Sequence, residues 1–415
     1  MIEGASERKF RFIPFRKRDI VEMCLQDKLL DGREEDFRQL YRMLDSIFHY
    51  EFHKTVENLK DAYATIDPDA DTRHHERATC PDRVQFVELL RELLEKANYE
   101  RVTEAELNQA LQQSSLFKIR LFVDFGDFSE VLLFCRGEST RREMVPGWMG
   151  LFSRNIEFIN YDRVMVYLRF RDDAIPSDDR LPACRPGATV LKLFRNVPRA
   201  DLEMLFPNTH VRMRLVDKLL IGIPAAVSGG IVLTTKLGTA LVLLGSLLGF
   251  WMGLSSHPVE LNKTTLMALL AGLMALGGYL WKQINGFKNR KLRFMQALTQ
   301  NLYFKNLDNN AGVFHRIAND AEEEECKESL LAYYFLLTSQ GPLSRSELDR
   351  KAEAWMATKW QCAIDFEIDD ALEKLIALKL VHAAGGKFTA LPLSEGIRVL
   401  DQQWDNYFTA AGGTE

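Results

Sequence analysis

The chain has 415 residues, room for two or three domains, with 53 Lys and Arg against 58 Asp and Glu and a formal net charge of -5. Residues 1–218 hold 35 basic against 38 acidic side chains and residues 326–415 hold 9 against 13, so neither part has the positive excess of a nucleic-acid binder. The six cysteines (Cys24, Cys80, Cys135, Cys184, Cys326, Cys362) include no CxxC pair, which argues against a zinc ribbon or a disulfide framework and fits a reducing compartment.

The first twenty residues are basic but lack an apolar core or a small-residue cleavage site, so no secretory signal is expected, and the Ser-rich, acid-poor length of an organelle presequence is missing too. Up to about residue 114 the pattern is helical. Phe37, Leu40, Tyr41, Leu44, Ile47 and Phe48 recur at three and four residues, as do Val87, Leu90 and Leu94, and Thr103 with Glu106 forms a capping box. Asp67, Asp69 and Asp71 open like a calcium loop, but Thr72 and Ala78 stand where a glycine and a bidentate glutamate are needed, so a solvated linker is expected. His49 and His53 lie one helical turn apart; no motif brings His74, His75 or Cys80 to them, and exposed histidines are expected rather than a metal site.

From residue 115 to 218 the period drops to two. Phe117, Ile119, Leu121 and Val123 alternate with polar residues, Gly126-Asp127 makes a turn, and Val164, Val166, Leu168 and Phe170 alternate again, as in a half-buried antiparallel sheet. The stretch from Asp172 to Gly187, rich in Pro and Asp, reads as a long surface loop.

Residues 219–282 read as a transmembrane region. Ile231 to Leu254 holds one charge, Lys236, and Thr264 to Trp281 holds none, and each is long enough as a helix to cross about 30 Å of hydrocarbon. One helix from Leu219 to Leu254 would be about 54 Å long, too much for a single span, and Pro224 with Gly229-Gly230 offers a break. Arg212, Arg214 and Lys218 before the region and Lys282, Lys288, Arg290, Lys291 and Arg293 after it put both flanks on the cytoplasmic side, hence two spans. A separate crossing from Leu219 to Thr235 would instead give three. Gly245, Gly249 and Gly253 line one face of the first span, and Ala268 with Gly272 offers a matching small face on the second, for packing on each other or on another copy.

Residues 283–325 form a membrane-proximal helical linker with an Asn-Leu-Asp-Asn-Asn turn. Asn306, Asp308, Asn309 and Asn310 there are either a tight helix-to-helix turn or a recognition loop for a partner or headgroup. Glu322 to Glu325 reads as a solvated helix start. Residues 326–415 look like a winged helix: Ser344 and Glu347 box one helix, Ile368 to Leu378 supplies a second, and Leu380 to Leu391 forms a hairpin around Gly385-Gly386. The second helix opens with Glu367, Asp369 and Asp370, which repel phosphate, so a protein-binding or structural role is expected over DNA binding. Gly385-Gly386-Lys387 lacks the spacing of a phosphate-binding loop.

The strings at Lys192 to Pro207, Asn301 to Ile317 and Glu323 to Leu337, with RFIPFRKRDI near the start, resemble the family of uncharacterised membrane proteins that includes animal transmembrane protein 143. The resemblance implies two membrane segments, a mitochondrial membrane in animal members, and no assigned activity; without a presequence, a bacterial cytoplasmic membrane with both termini cytoplasmic is expected here. The sequence thus predicts an α+β membrane protein with a helical plus antiparallel-sheet N-terminal domain, a two-span transmembrane hairpin and a C-terminal winged-helix-like domain. Expected partners are the lipid bilayer, an unidentified protein and a second copy, with nucleic acid disfavoured. No catalytic motif or cofactor site stands out, so a tethered interaction or regulatory module is expected, against a membrane-bound transcriptional regulator or a lipid-handling enzyme.

Overall fold

The structure, a computed structural model, describes residues 9–69, 83–103, 105–107, 120–146, 153–173, 186–208, 210–212, 245–246, 248–253 and 263–407. The chain divides into two compact units, one holding residues 1–114, 124–207 and 305–415, the other residues 115–123 and 208–304.

The larger unit is mixed α+β around an antiparallel sheet. Strand β1 (Lys9–Phe10) leads into helix α1 (Lys17–Gln26), then α2 (Glu34–Tyr63) and α3 (Arg83–Lys96). The sheet follows, with β2 (Glu100–Arg101), β4 (Phe128–Pro146), β5 (Ser153–Phe170) and β6 (Thr189–Pro198) hydrogen-bonded in that order. β3 (Arg120–Phe122) belongs to the other unit, where it pairs antiparallel with β7 (His210–Arg212). Strand register puts Leu132, Tyr167 and Leu191 in one cross-strand row and Phe134, Met165 and Leu193 in the next, and all six pack with α2 and α3 in one apolar core. The alternate row of Cys135, Val164 and Phe194 is also buried, so the sheet is covered on both faces.

The smaller unit contributes α4, Lys263–Lys305. Among the described residues no helix is long and apolar enough to cross a membrane. This corrects the expectation of an integral membrane protein with a two-span transmembrane hairpin, and with it the placement in a bacterial or mitochondrial membrane. Thr264 to Trp281 is not a free-standing apolar rod. It opens a 43-residue helix that runs on unbroken through Lys282, Lys288, Arg290, Lys291 and Arg293. Of the other expected span, most of Ile231 to Leu254 lies outside the described residues.

After α4 the chain returns to the larger unit. β8 (Asn306–Asn309) adds to the free edge of β6, and α5 (Ala311–Leu337) follows. Then come β9 (Leu343–Ser344), α6 (Arg345–Trp360), β10 (Ala363–Ile364), α7 (Ile368–Ala377), the hairpin β11 (Val381–Ala384) and β12 (Lys387–Ala390), and α8 (Leu393–Asn406). Helix, strand, two helices and hairpin, with β9 on the hairpin's edge, is the element order of a winged helix. Ser344 Oγ and N both donate to Glu347, at 2.7 and 2.8 Å, boxing the start of α6. Gly385 (φ +58) and Gly386 (φ +75) turn the hairpin, a conformation that matches the twist of the two strands.

Helix α5 is the axis of this unit. Its first half, from Val313 to Ala321, packs into the sheet core, and its second half, from Cys326 to Leu336, packs into a second core with α1, the start of α2, α6 and α7. The N-terminal strand crosses the chain's full length to pair in parallel with β10, Phe10 beside Ile364.

Candidate functional site: a charged clasp on the central helix

Midway along α5, Asp320, Glu324, Lys327 and Glu328 fall within about 100° of one another at 100° per residue, on the side that later carries Leu331, Tyr334 and Phe335 into the core. Charges on a core-facing stripe must be paired, because an isolated buried ion loses several kcal/mol of hydration. Glu324 is 2 % exposed and takes three hydrogen bonds: from Arg136 Nη2 at 2.8 Å, from Lys327 Nζ at 2.8 Å and from the Ile13 amide at 2.9 Å. Lys327 donates in turn to the carbonyls of Ile13 (2.7 Å) and Phe15 (3.1 Å). One helical turn of α5 therefore grips the backbone of residues 13–15 from both sides.

Asp320 extends the network to the sheet, with Arg136 Nη1 at 3.4 Å and Arg163 in direct contact. The Arg136 guanidinium, on β4, stacks 4.4 Å from the Phe12 ring. Burial holds the Arg163 guanidinium below its ordinary range, and the like charges of Arg136 and Arg316 add to that. A cleft of about 370 Å³ opens here between residues 12–16, the two sheet arginines and α5.

Glu328, one turn further on, has no cation in contact among the described residues. Its Oε1 accepts from Asn98 Nδ2 at 3.1 Å, and the same amide donates to the Arg11 carbonyl at 2.8 Å. Asn98 is free to reach both because it ends α3 in a left-handed conformation, φ +58. Burial pushes the Glu328 carboxyl well above the usual carboxylate range, and neighbouring Glu324 pushes it further. Glu325 faces the other way, paired with Lys374 of α7, and burial raises it also. On the flank, Lys17 bridges Asp45 and Glu322; burial opposes its charge, but the two carboxylates outweigh that and hold the ammonium above its usual range.

The clasp is chemically closed. Asp320 and Glu324 are answered by Arg136, Arg163 and Lys327, and Glu328 by the Asn98 amide. No group of His, Cys, Asp and Glu among the described residues could hold a metal ion. His49 Nδ1 lies 3.0 Å from Glu322 Oε2, while His74, His75, Cys80 and Asp71 lie outside the described residues.

The sequence-derived candidates sit elsewhere. Asn306, Asp308 and Asn309 are in strand β8, with Asp308 opposite Leu193 and ion-paired to Arg316, so the stretch is an edge strand rather than an open loop. Asn310 caps α5 at φ +50, its amide nitrogen bonded to the Leu191 carbonyl and its side chain to Tyr63 and Asp69. Gly245, Gly249 and Gly253 have no described atom within 4 Å of a Cβ built on them, and Gly253 (φ +74) ends its helix. Ala268 and Gly272 lie in α4. Glu322 to Glu325 is not a solvated helix start: α5 begins at Ala311, and Glu324 and Glu325 are buried inside it. The clasp itself was missed. Its signal was present, since the stripe of Asp320, Glu324, Lys327 and Glu328 continues in register into Leu331 and Phe335.

Residues 161–312 match a family described as a protein of unknown function, DUF3754. The matched segment starts in β5 and ends with the first turn of α5, so it takes in β6, α4 and β8 but neither the strap at residues 9–16 nor most of the clasp helix. No solved structure matches the chain.

Proposed function

We propose that this chain is a non-catalytic interaction module that self-associates through the outer face of α4. The observation that carries the reading is where exposed apolar side chains fall. Of the sixteen large ones exposed among the described residues, twelve lie between Leu248 and Phe304. Within α4, Leu266, Leu270, Met274, Gly277 and Trp281 share a sector about 80° wide at 100° per residue, the narrow stripe of a helix seam, which Lys288 closes on the same face. A patch of this kind on a protein surface marks an interaction site.

A second copy is the occupant the stripe favours. Leu266, Leu270, Met274 and Trp281 project from it, while Gly277 and Gly278 leave open space, with no described atom within 4 Å of a Cβ placed there. Knobs and a gap on one face make it complementary to itself, as a twofold interface requires.

The regulator alternative is weaker. Helix α7 turns Ile368, Ala371, Leu372 and Leu375 inward and leaves Asp369, Asp370 and Glu373 exposed, an acidic face toward any phosphate. Sedimentation equilibrium of the full chain tests the proposal. Dimers are expected in the micromolar range, and Met274→Asp, at an exposed position, is expected to give monomers with an unchanged melting temperature. Monomeric wild-type protein, a dimer that survives Met274→Asp combined with Leu270→Asp, or a monomer that floats with lipid vesicles would each overturn it.

A further inference from the structure

The second face of the sheet holds a larger cleft than the clasp does, about 630 Å³, at the edge where β2 leaves β4. Leu107, Phe128, Val131 and Leu133 form an apolar strip along its floor, and Arg101, Thr103, Ser129 and Glu130 make the rest of the lining polar. A volume of this size lies inside the range of roughly 300–1,000 Å³ typical of small-ligand pockets.

The polar side chains around the mouth are engaged, with one exception. Glu130 faces Arg91 at 3.9 Å, Thr103 exchanges hydrogen bonds with Glu106 across a helix start, and Ser129 Oγ donates to the Arg169 carbonyl at 3.4 Å. Arg101, on β2, is exposed and has no ion-pair partner among the described residues. A cation at the end of an apolar strip complements a molecule with one anionic end and a hydrocarbon body, since the guanidinium offers a carboxylate two parallel donors. Among the described residues a multiply charged ligand finds no second cation there, and a neutral one leaves Arg101 unanswered.

We propose that this cleft binds one unbranched fatty carboxylate, its chain against Leu107, Phe128, Val131 and Leu133 and its head on Arg101. Binding is driven by the chain and oriented by the arginine. Each methylene withdrawn from water is worth about fourfold in affinity, so shortening the chain by two is worth about fifteenfold.

Isothermal titration of the full chain with dodecanoate, decanoate and dodecanol, below their aggregation concentrations, tests this. Dodecanoate is expected to bind at one site, and decanoate about fifteenfold more weakly. Arg101→Gln, an exposed change that leaves folding intact, is expected to weaken dodecanoate at least threefold and leave dodecanol unchanged. Val131→Trp, which fills the cleft, is expected to abolish both while the melting temperature holds. If that variant does not fold, the Arg101 comparison decides alone. Absence of saturable dodecanoate binding, affinity indifferent to chain length, or Arg101→Gln binding dodecanoate as wild type would each overturn the proposal.

Discussion

Replacing Glu324 with Gln removes one charge from the most enclosed part of the molecule while keeping the side chain's shape. Glu324 accepts from Arg136, Lys327 and the Ile13 amide, all within 2.9 Å, and is 2 % exposed. Two of those donors are cations, and hydrogen bonds to charged groups are worth about 1.5–3 kcal/mol each, giving about 3–6 kcal/mol at risk. The loss on breaking a buried ion pair, about 3–5 kcal/mol, is consistent with that figure, because Arg136 and Lys327 are left with less negative charge than they need. Part of the Arg136 charge stays answered by Asp320, so the lower half of the range, about 3–4 kcal/mol, is expected. Against a total stability of about 5–15 kcal/mol such a loss moves the urea midpoint by a large fraction. Urea unfolding followed by far-ultraviolet circular dichroism measures it, with Glu373→Gln on the exposed face of α7 as a control expected within about 0.5 kcal/mol of wild type. Combining Glu324→Gln with Lys327→Met should cost less than the two singly, since the second change removes a cation that the first has stranded. A Glu324→Gln loss below about 1 kcal/mol would show that the network is solvated in solution and that the clasp does not hold residues 13–15.

Glu328→Gln carries the opposite sign. The folded protein keeps a proton on Glu328 to a pH well above 4.5, whereas the unfolded chain has released it, so stability falls as pH rises from about 4.5 toward the folded value; Gln, with no proton to lose, should be more stable than wild type at pH 7 and should flatten that slope, read from melting temperatures at pH 5, 6, 7 and 8. Ser344→Ala breaks the box with Glu347 and should cost about 1 kcal/mol; a melting temperature equal to wild type would mean that the box is frayed in solution.

The parts of this fold that were legible in the sequence are those set by neighbours in the chain. Thr103 and Ser344 each find a glutamate three residues on and Gly385-Gly386 turns a hairpin, because capping and turns act over a few residues; the alternation of Val164, Val166 and Leu168 found the strand but wrongly implied a half-buried sheet, since Met165 and Tyr167 between them are buried too. What could not be read is set by partners hundreds of positions away. Glu324 looks like one of four solvated acids until residues 13–15 and Arg136 arrive beside it, and Asn306 to Asn309 looks like a turn until β6 presents a free edge. The apolar count from Thr264 to Trp281 suggested a membrane span for a related reason: a window of residues carries no information about the helix continuing to Lys305.

The position of α5 decides how any activity of the C-terminal part must be assayed. A fragment starting at Cys326 begins in mid-helix, after Glu324 and Glu325 and before Lys327, and strips the second core of α1 and of Phe37, Leu40, Leu44 and Phe48 from α2. Tyr334 would lose the edge-on contact with Phe37 at 5.8 Å and the hydrogen bond to Asp27, and Trp355 would lose its bond to the same carboxylate. Each large side chain uncovered costs about 1.5–3 kcal/mol, so four such losses consume most or all of a domain's stability. Failure of such a fragment to bind DNA, or to bind anything, would therefore report an unfolded chain. The winged-helix order of α5 to β12 is completed by residues near the N-terminus, and whatever surface it presents has to be tested with residues 9–48 in place.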